Sequence, residues 1–290
     1  MEYIREQIMT EGYLLEMEIA ATLRRRRYDV HKSAYYFDAD ENIGRELDML
    51  ADPDLLQLPP VLVDRDDFWH ISPRLLVECK KTRAYYSVFY RSEPVVGHFD
   101  IGHSIDVTTA RLGYGESACY QILAGAGNLH YLRSGLHMVS EHQQIPCKDQ
   151  SGKSKAKNLI FDSIMKIVKY MNYEFLRLRP FFREKSARKD IVFFFPVIVF
   201  DGELYEVSYK RNLSIEPVRR LIYETNYSSN LTTGLVPSYI DIVRKDAIES
   251  CLDDIERDVR RLNEYMEKPD VQTQLDGMVS YQHRRRAGVH

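Results

Sequence analysis

From Thr10 to Arg27 the apolar residues Leu14, Leu15, Ile19, Ala20 and Leu23 return at helical spacing with no internal proline, which predicts a first helix capped by Thr10. The period then changes. Tyr28 to Phe37 is aromatic and β-branched, Arg45 to Ala51 alternates, and Arg74 to Lys80 ends in Leu-Leu-Val-Glu-Cys-Lys, so three strands are expected. Asn42-Ile43-Gly44 supplies a turn between the first two, and the Asp/Pro-rich stretch 52–67 a longer connection to the third. Residues 84–152 are rich in Tyr, Gly and His but hold little period beyond a short helical stretch near Glu116 to Leu123, and they read as an insertion.

Helical spacing resumes from Ala156 to Leu178, where Ile160, Ile164, Ile167, Val168, Met171, Phe175 and Leu178 form one stripe that should pack on a sheet. Ile191 to Phe200 is continuously apolar and reads as a fully buried strand, with Asp201-Gly202 turning into Leu204 to Tyr209. Further strands are expected at Val218 to Tyr223 and Tyr239 to Val243. Asp246 opens a last helix whose seam, Ile248, Leu252, Ile255, Val259, Leu262 and Met266, steps by four and three. Such a seam either pairs a second copy, giving a homodimer, or covers the chain's own sheet. The expected organisation is one α/β domain over 1–267 and a polar, flexible tail over 268–290 that ends in His283-Arg284-Arg285-Arg286.

Composition narrows the classes. At 44% hydrophobic with 14 Gly and 11 Pro, the chain is neither a disordered polyelectrolyte nor a collagen-like repeat. Its 40 Lys+Arg against 43 Asp+Glu leave a net charge of -3, so a nucleic-acid surface has to be a local patch. The longest apolar run, Ile191 to Phe200, is about half of what a membrane-spanning helix requires, so no membrane association is expected. Met1 to Glu6 show no basic segment leading into an apolar one, and the cysteines at 79, 119, 147 and 251 are scattered. A cytoplasmic protein with reduced thiols is the expectation.

The chemistry lies on the second and third strands. Alternation puts Glu78 and Lys80 on one face and Val77 and Cys79 on the other; on the preceding strand Glu46 and Asp48 share a face, with Leu47 and Met49 as the opposite, core-facing set. Pairing the two strands brings Asp48 beside Glu78. Two carboxylates so placed repel unless one is protonated or a cation lies between them, and an oxygen-only donor set suits Mg²⁺ or Mn²⁺. Lys80, next along the face, is then in reach of an attacking water and of charge developing on phosphorus.

Asp48 followed by Glu78-Cys79-Lys80 resembles the D…E-x-K signature of the PD-(D/E)xK phosphodiesterases, the restriction-endonuclease-like superfamily. Glu16, in Gly12-Tyr13-Leu14-Leu15-Glu16, stands where members often carry a glutamate on the first helix. The resemblance covers residues 10–81, with helix and strand order continuing through 160–200. It implies a restriction-endonuclease-like αβββαβ core with a mixed sheet flanked by helices, and Mg²⁺- or Mn²⁺-dependent cleavage of phosphodiesters, in DNA rather than RNA. It further implies Asp48, Glu78 and the Cys79 carbonyl as metal ligands, Lys80 as the residue that activates water, and Glu16 as a completing carboxylate. Leu47 stands where many members have proline. The second helix shows no Gln-x-x-x-Tyr motif, which leaves Lys157 and Lys166 as candidate substitutes. An E-x-K triplet arises by chance roughly once in a chain of this length. Here it is the only [DE]-x-K triplet, and it falls on a predicted strand downstream of a helix bearing a glutamate.

Two rival readings come from other classes. A silent nuclease fold would serve as a DNA-binding or assembly subunit with partner subunits, through the long last helix. A nucleotide-binding protein would use Cys147-Lys148-Asp149-Gln150-Ser151-Gly152-Lys153-Ser154, a near P-loop in which the first glycine is replaced by Cys147. Cys119, His130, His137, His142 and Cys147 match no compact zinc spacing. Basic clusters at 24–27, 80–83, 153–157, 183–189 and 283–286 offer phosphate contacts, and Tyr85, Tyr86, Phe89 and Tyr90 serve either as base-stacking rings or as core.

Overall fold

The first helix, α1 (Tyr13–Arg25), buries Leu15, Ile19, Ala20 and Leu23, the stripe that its spacing predicts. Gly12, not Thr10, is its N-cap, and Arg27 ends the helical stretch with a left-handed φ of 65°. In this computed structural model residues 12–53, 69–81, 85–91, 110–111, 138–147, 159–178, 190–209, 211–227 and 236–276 are described. The chain continues through β1 (Tyr28–Asp38), β2 (Ile43–Pro53), β3 (His70–Lys81), β4 (Tyr85–Arg91), β5 (Ala110–Arg111) and β6 (Met138–Pro146). Helix α2 (Leu159–Leu178) precedes β7 (Asp190–Asp201), β8 (Leu204–Tyr209), β9 (Leu213–Pro217), β10 (Arg220–Tyr227) and β11 (Val236–Arg244). A 3-10 turn then leads into α3 (Ile248–Met266).

The eleven strands among the described residues join one mixed sheet in the order β1-β2-β3-β7-β11-β10-β6-β4-β8-β9, with β5 paired to β7. β1, β2 and β3 are antiparallel neighbours, while β3 runs parallel to β7 along its whole length, from His70 opposite Asp190 to Lys81 opposite Asp201. A parallel central pair must be buried on both faces, which is why β7 is continuously apolar. Val197 and Val199 enter one core, with α1 and α3; Ile198 and Phe200 enter the other, with α2. The architecture is therefore α/β, a large mixed sheet flanked by helices.

Two expectations are corrected. The stretch 84–152 is not simply set apart from the sheet: β4 and β6 are members of it, with Phe89 and Val139 fully buried. The tail does not begin loose at 268, because 269–276 is helical and buries Val271 and Leu275 in the core that holds α3. There Gln272 accepts from the Trp69 backbone N–H at 2.8 Å and donates to the Trp69 and Met266 carbonyls at 3.2 and 2.7 Å. Of the two places open to the seam of α3, it takes the chain's own sheet. Ile248, Leu252, Ile255, Val259, Leu262 and Met266 are all buried against the chain's own sheet, so this stripe offers no free face for a homodimer.

Other candidate patches also find partners within the chain. Arg25 and Arg26 are taken by Glu249, Asp253 and Glu256 of α3, and Lys81 lies 3.5 Å from Asp201. His142 packs against both Phe89 and Tyr223, which also meet each other edge-on. The aromatics after β3 divide: Phe89 is core, while Tyr86 stacks edge-on with Tyr205 and the Tyr90 hydroxyl donates to Gln143. Cys119, His130, His137, Gly152, Lys153, Ser154, Lys157 and the clusters at 153–157, 183–189 and 283–286 lie outside the described residues. The helical stretch near 116–123 does too. Among the described residues no helix is long and apolar enough to cross a membrane.

Candidate active site

The β1–β2 hairpin changes sides part-way along. Near its base Tyr28, Val30, Met49 and Ala51 enter the core formed with α1 and α3, whereas beyond it Tyr36 and Leu47 enter the core formed with α2. Leu47 and Met49 are thus both buried but in opposite cores, which corrects the simple alternation expected for this strand. The switch falls where Ser33 takes a left-handed φ of 53°, between the rungs Lys32–Met49 and Ala34–Leu47. Asp48 is the β2 residue at that level.

The β2–β3 register, Met49 opposite Val77 and Leu50 opposite Leu76, leads directly to Asp48 and Glu78. The Asp48 backbone N–H donates to Glu78 Oε1 at 3.2 Å, and the Cys79 backbone N–H donates to Asp48 Oδ2 at 2.8 Å. Each carboxylate is therefore aimed by the other strand's backbone. Two ammonium groups complete the cluster. Lys80 Nζ lies 2.9 Å from Glu78 Oε2 and 3.9 Å from Asp48 Oδ2. From α2, Lys166 Nζ lies 3.3 Å from both Glu78 oxygens and 3.8 Å from Asp48 Oδ1. Glu78 is wholly enclosed, but the Asp48, Lys80 and Lys166 side chains keep 15%, 19% and 29% exposure, so the cluster opens outward past them.

Burial pushes the Glu78 carboxyl above the usual carboxylate range; Lys80 pulls it down, and Asp48 pushes it up again. Burial alone would lower Lys80, but Glu78 and Asp48 outweigh it and hold the amine above its ordinary value. Lys80 is thus an ammonium at neutral pH, suited to donating a hydrogen bond and neutralising an anion. Glu16 also sits above the ordinary range, through burial and then the Asp48 charge, against the pull of Lys32, Lys80 and Lys166. Cys79 points its thiol into the α1–α3 core, where burial raises it well above a reactive value, so its side chain is structural. Glu46, on the same strand as Asp48, makes no contact that ties it to the cluster.

Asp48, Glu78 and Lys80 thus come together, with Glu16 within electrostatic reach, and Lys166 emerges from the second helix as a fifth member. The sequence signal for Lys166 is its place beside the buried stripe, flanked by Ile164 and Ile167. Among the described residues no group of three or more His, Cys, Asp or Glu side chains is gathered tightly enough to hold a metal by itself. A pair of carboxylates remains a fitting donor set for Mg²⁺, which commonly takes one or two of them and fills its octahedron with water and substrate oxygen. That an ammonium already spans oxygens of both carboxylates shows that the position accepts a cation. Comparisons with protein-family models, with curated proteins and with solved structures find no match.

Proposed function

We propose that this protein is a metal-dependent nuclease, an endonuclease hydrolysing phosphodiester bonds in DNA, built on a restriction-endonuclease-like core. The observation that carries the reading is the convergence of Asp48, Glu78 and Lys80 at adjacent levels of β2 and β3, with both carboxylates fixed by reciprocal backbone N–H bonds. Element order lends support: α1, three antiparallel strands, then α2 and a strand parallel to β3 follow the αβββαβ succession implied by the D…E-x-K resemblance. Extra strands β4 to β6 fall between β3 and α2.

In this reading Asp48, Glu78 and the Cys79 carbonyl hold Mg²⁺ or Mn²⁺, with Glu16 closing the set. When bound, the metal supplies a Lewis acid for a phosphoryl oxygen and lowers the proton affinity of its water. The chain's own groups position the rest. The Cys79 N–H holds Asp48 in orientation, and the enclosed Glu78 cannot turn away from the site. The Lys80 ammonium orients the attacking water and neutralises negative charge as it develops on the phosphoryl oxygens, an interaction strongest in the transition state. Half-buried Lys166 lies on the open side of the cluster, from which a backbone phosphate would approach.

The test is cleavage of mixed supercoiled, linear and single-stranded DNA with Mg²⁺ or Mn²⁺ by wild type, Asp48→Ala and Lys80→Ala. Cutting by wild type, and its loss in both folded variants, is the expected result. Equal cutting by all three proteins would remove these residues from the mechanism, and no cutting by wild type on any of the substrates would refute the nuclease reading in favour of a silent fold.

A further inference from the structure

Lys166 and Lys80 reach the carboxylate pair from different layers. Lys80 comes from β3 itself and touches Glu78 Oε2 and Asp48 Oδ2. Lys166 comes from α2, is centred on both Glu78 oxygens and is the ammonium within 4 Å of Asp48 Oδ1. A single positive charge spanning two carboxylates from different strands does what a divalent ion bound there would have to do. The rest of the residue is fixed, since the Lys166 carbonyl accepts from the buried Tyr36 hydroxyl at 3.3 Å and its neighbours Ile164 and Ile167 are core. Only the long side chain is free to leave, towards the exposure it already has.

We propose that the Lys166 ammonium is a built-in counter-ion that occupies the cation position between Asp48 and Glu78, and that a divalent ion binds only by displacing it. This rests on the metal-site reading above. Charge balance favours displacement of Lys166 over a cluster holding all the cations. With Glu16 counted, three carboxylates face two ammoniums, and a divalent ion added to them would set four positive charges against three within a few ångströms. Releasing Lys166 leaves the metal and Lys80, three positive charges, facing Asp48, Glu78 and Glu16. Lys80 is the one retained, because its contact to Glu78 is shorter and its side chain is less exposed. Lys166 is therefore a positioning residue. It holds the enclosed carboxylate in place before metal arrives and sets the concentration at which metal enters.

The experiment is calorimetric titration of the full chain with Mn²⁺ alone, without DNA, for wild type, Lys166→Met, Lys166→Gln and Asp48→Asn. Both Lys166 variants are expected to bind Mn²⁺ on the order of tenfold more tightly than wild type, the factor set by removing one competing ion pair, and D48N to lose the site. A second measurement needs no variant. Acylation of Lys166 by an amine reagent, read by mass spectrometry, should rise severalfold in wild type when Mn²⁺ is added, and should not respond in D48N. If K166M does not fold, K166Q and the acylation result decide. Unchanged or weaker binding in the Lys166 variants, with wild type still binding, would overturn the counter-ion proposal and leave the metal site standing. Absence of Mn²⁺ binding in every protein would overturn the proposal and the metal-site reading together.

Discussion

Replacing Lys80 by Met tests how the cluster is held, independently of any catalysis. The substitution keeps an apolar stem but removes an ammonium 2.9 Å from Glu78 Oε2. At an effective dielectric of about 20, that pair attracts by about 6 kcal/mol. Two effects reduce the net loss: Lys80 no longer has to be dehydrated, and Lys166 still faces Glu78 at 3.3 Å. The expected destabilisation is about 2–3 kcal/mol, below the usual cost of stripping a buried ion of all its partners. Urea unfolding followed through Trp69, the single tryptophan and 3% exposed, reads this directly. The pH dependence fixes the cause. The Glu78 carboxyl already sits above the ordinary range in the fold, and losing Lys80 moves it further up. A carboxyl raised in the folded state favours folding while it is protonated, and that contribution disappears as pH rises through the folded value. The gap between wild type and K80M should therefore be smallest near about pH 4 and widen towards neutrality, and adding Glu78→Gln should flatten it. A deficit below about 0.5 kcal/mol that does not vary with pH would refute the view that Lys80 holds a charged Glu78.

Asp38 should behave with the opposite sign. Its enclosed carboxylate accepts from Lys169 Nζ and Arg45 Nε, both at 2.8 Å, and from the Asp40 and Glu41 N–H groups; these donors outweigh the effect of burial and hold it below the usual range. Asp38→Ala should cost about 2–3 kcal/mol at neutral pH, and urea titrations should show the wild-type advantage shrinking as pH falls through the folded value. Leu252→Ala should cost about 2–5 kcal/mol by opening a cavity in the α3 core. It should leave the mass in analytical ultracentrifugation unchanged; a shift in mass would show that the seam is shared with a second copy. Gln272→Ala removes both bonds to the Trp69 backbone and leaves the indole N–H donating to Asp276 at 3.0 Å, so it should cost about 1–3 kcal/mol and shift tryptophan emission to the red, and an unaltered spectrum would contradict the role of Gln272 in that tie.

The order α1, β1, β2, β3, then α2 and β7, was legible because each element carries its own period and each buried stripe has one place to go. Ile160, Ile164, Ile167, Val168 and Met171 are buried as the spacing of α2 requires, and β7 is apolar on both sides because two helical layers cover it. Asp48 and Glu78 were legible because register follows from alternation once two strands pair. What period does not report is long-range partnership. Nothing local in Tyr85 to Arg91 shows that this stretch lies between β6 and β8, 47 or more positions away along the chain. The run 269–276 reads as polar because its two core residues, Val271 and Leu275, make too short a stripe to stand out beside the glutamines and aspartates around them.

The switch at Ser33 and Asp48 explains why the site draws residues from both helical layers. Had the β1–β2 hairpin kept one side towards α1 along its length, Asp48 would have been confined to one core and unable to meet groups from the other. Because both strands change sides at one level, Asp48 lies at the junction of the cores, where neither closes over it. Glu16 acts on it from α1, Lys166 reaches it from α2 at 3.8 Å, and the Cys79 N–H of β3 fixes it at 2.8 Å. Beyond the junction the hairpin is clamped to α2 by Tyr36 against Tyr170 and by Asp38 and Glu41 on Lys169, so α2 is anchored one turn past Lys166. A carboxylate as enclosed as Glu78 is costly to hold unless ammonium groups lie against it, and this geometry delivers one from β3 and one from α2. The left-handed turn at a single serine thus connects the hairpin's packing to the arrangement of charges around Asp48 and Glu78.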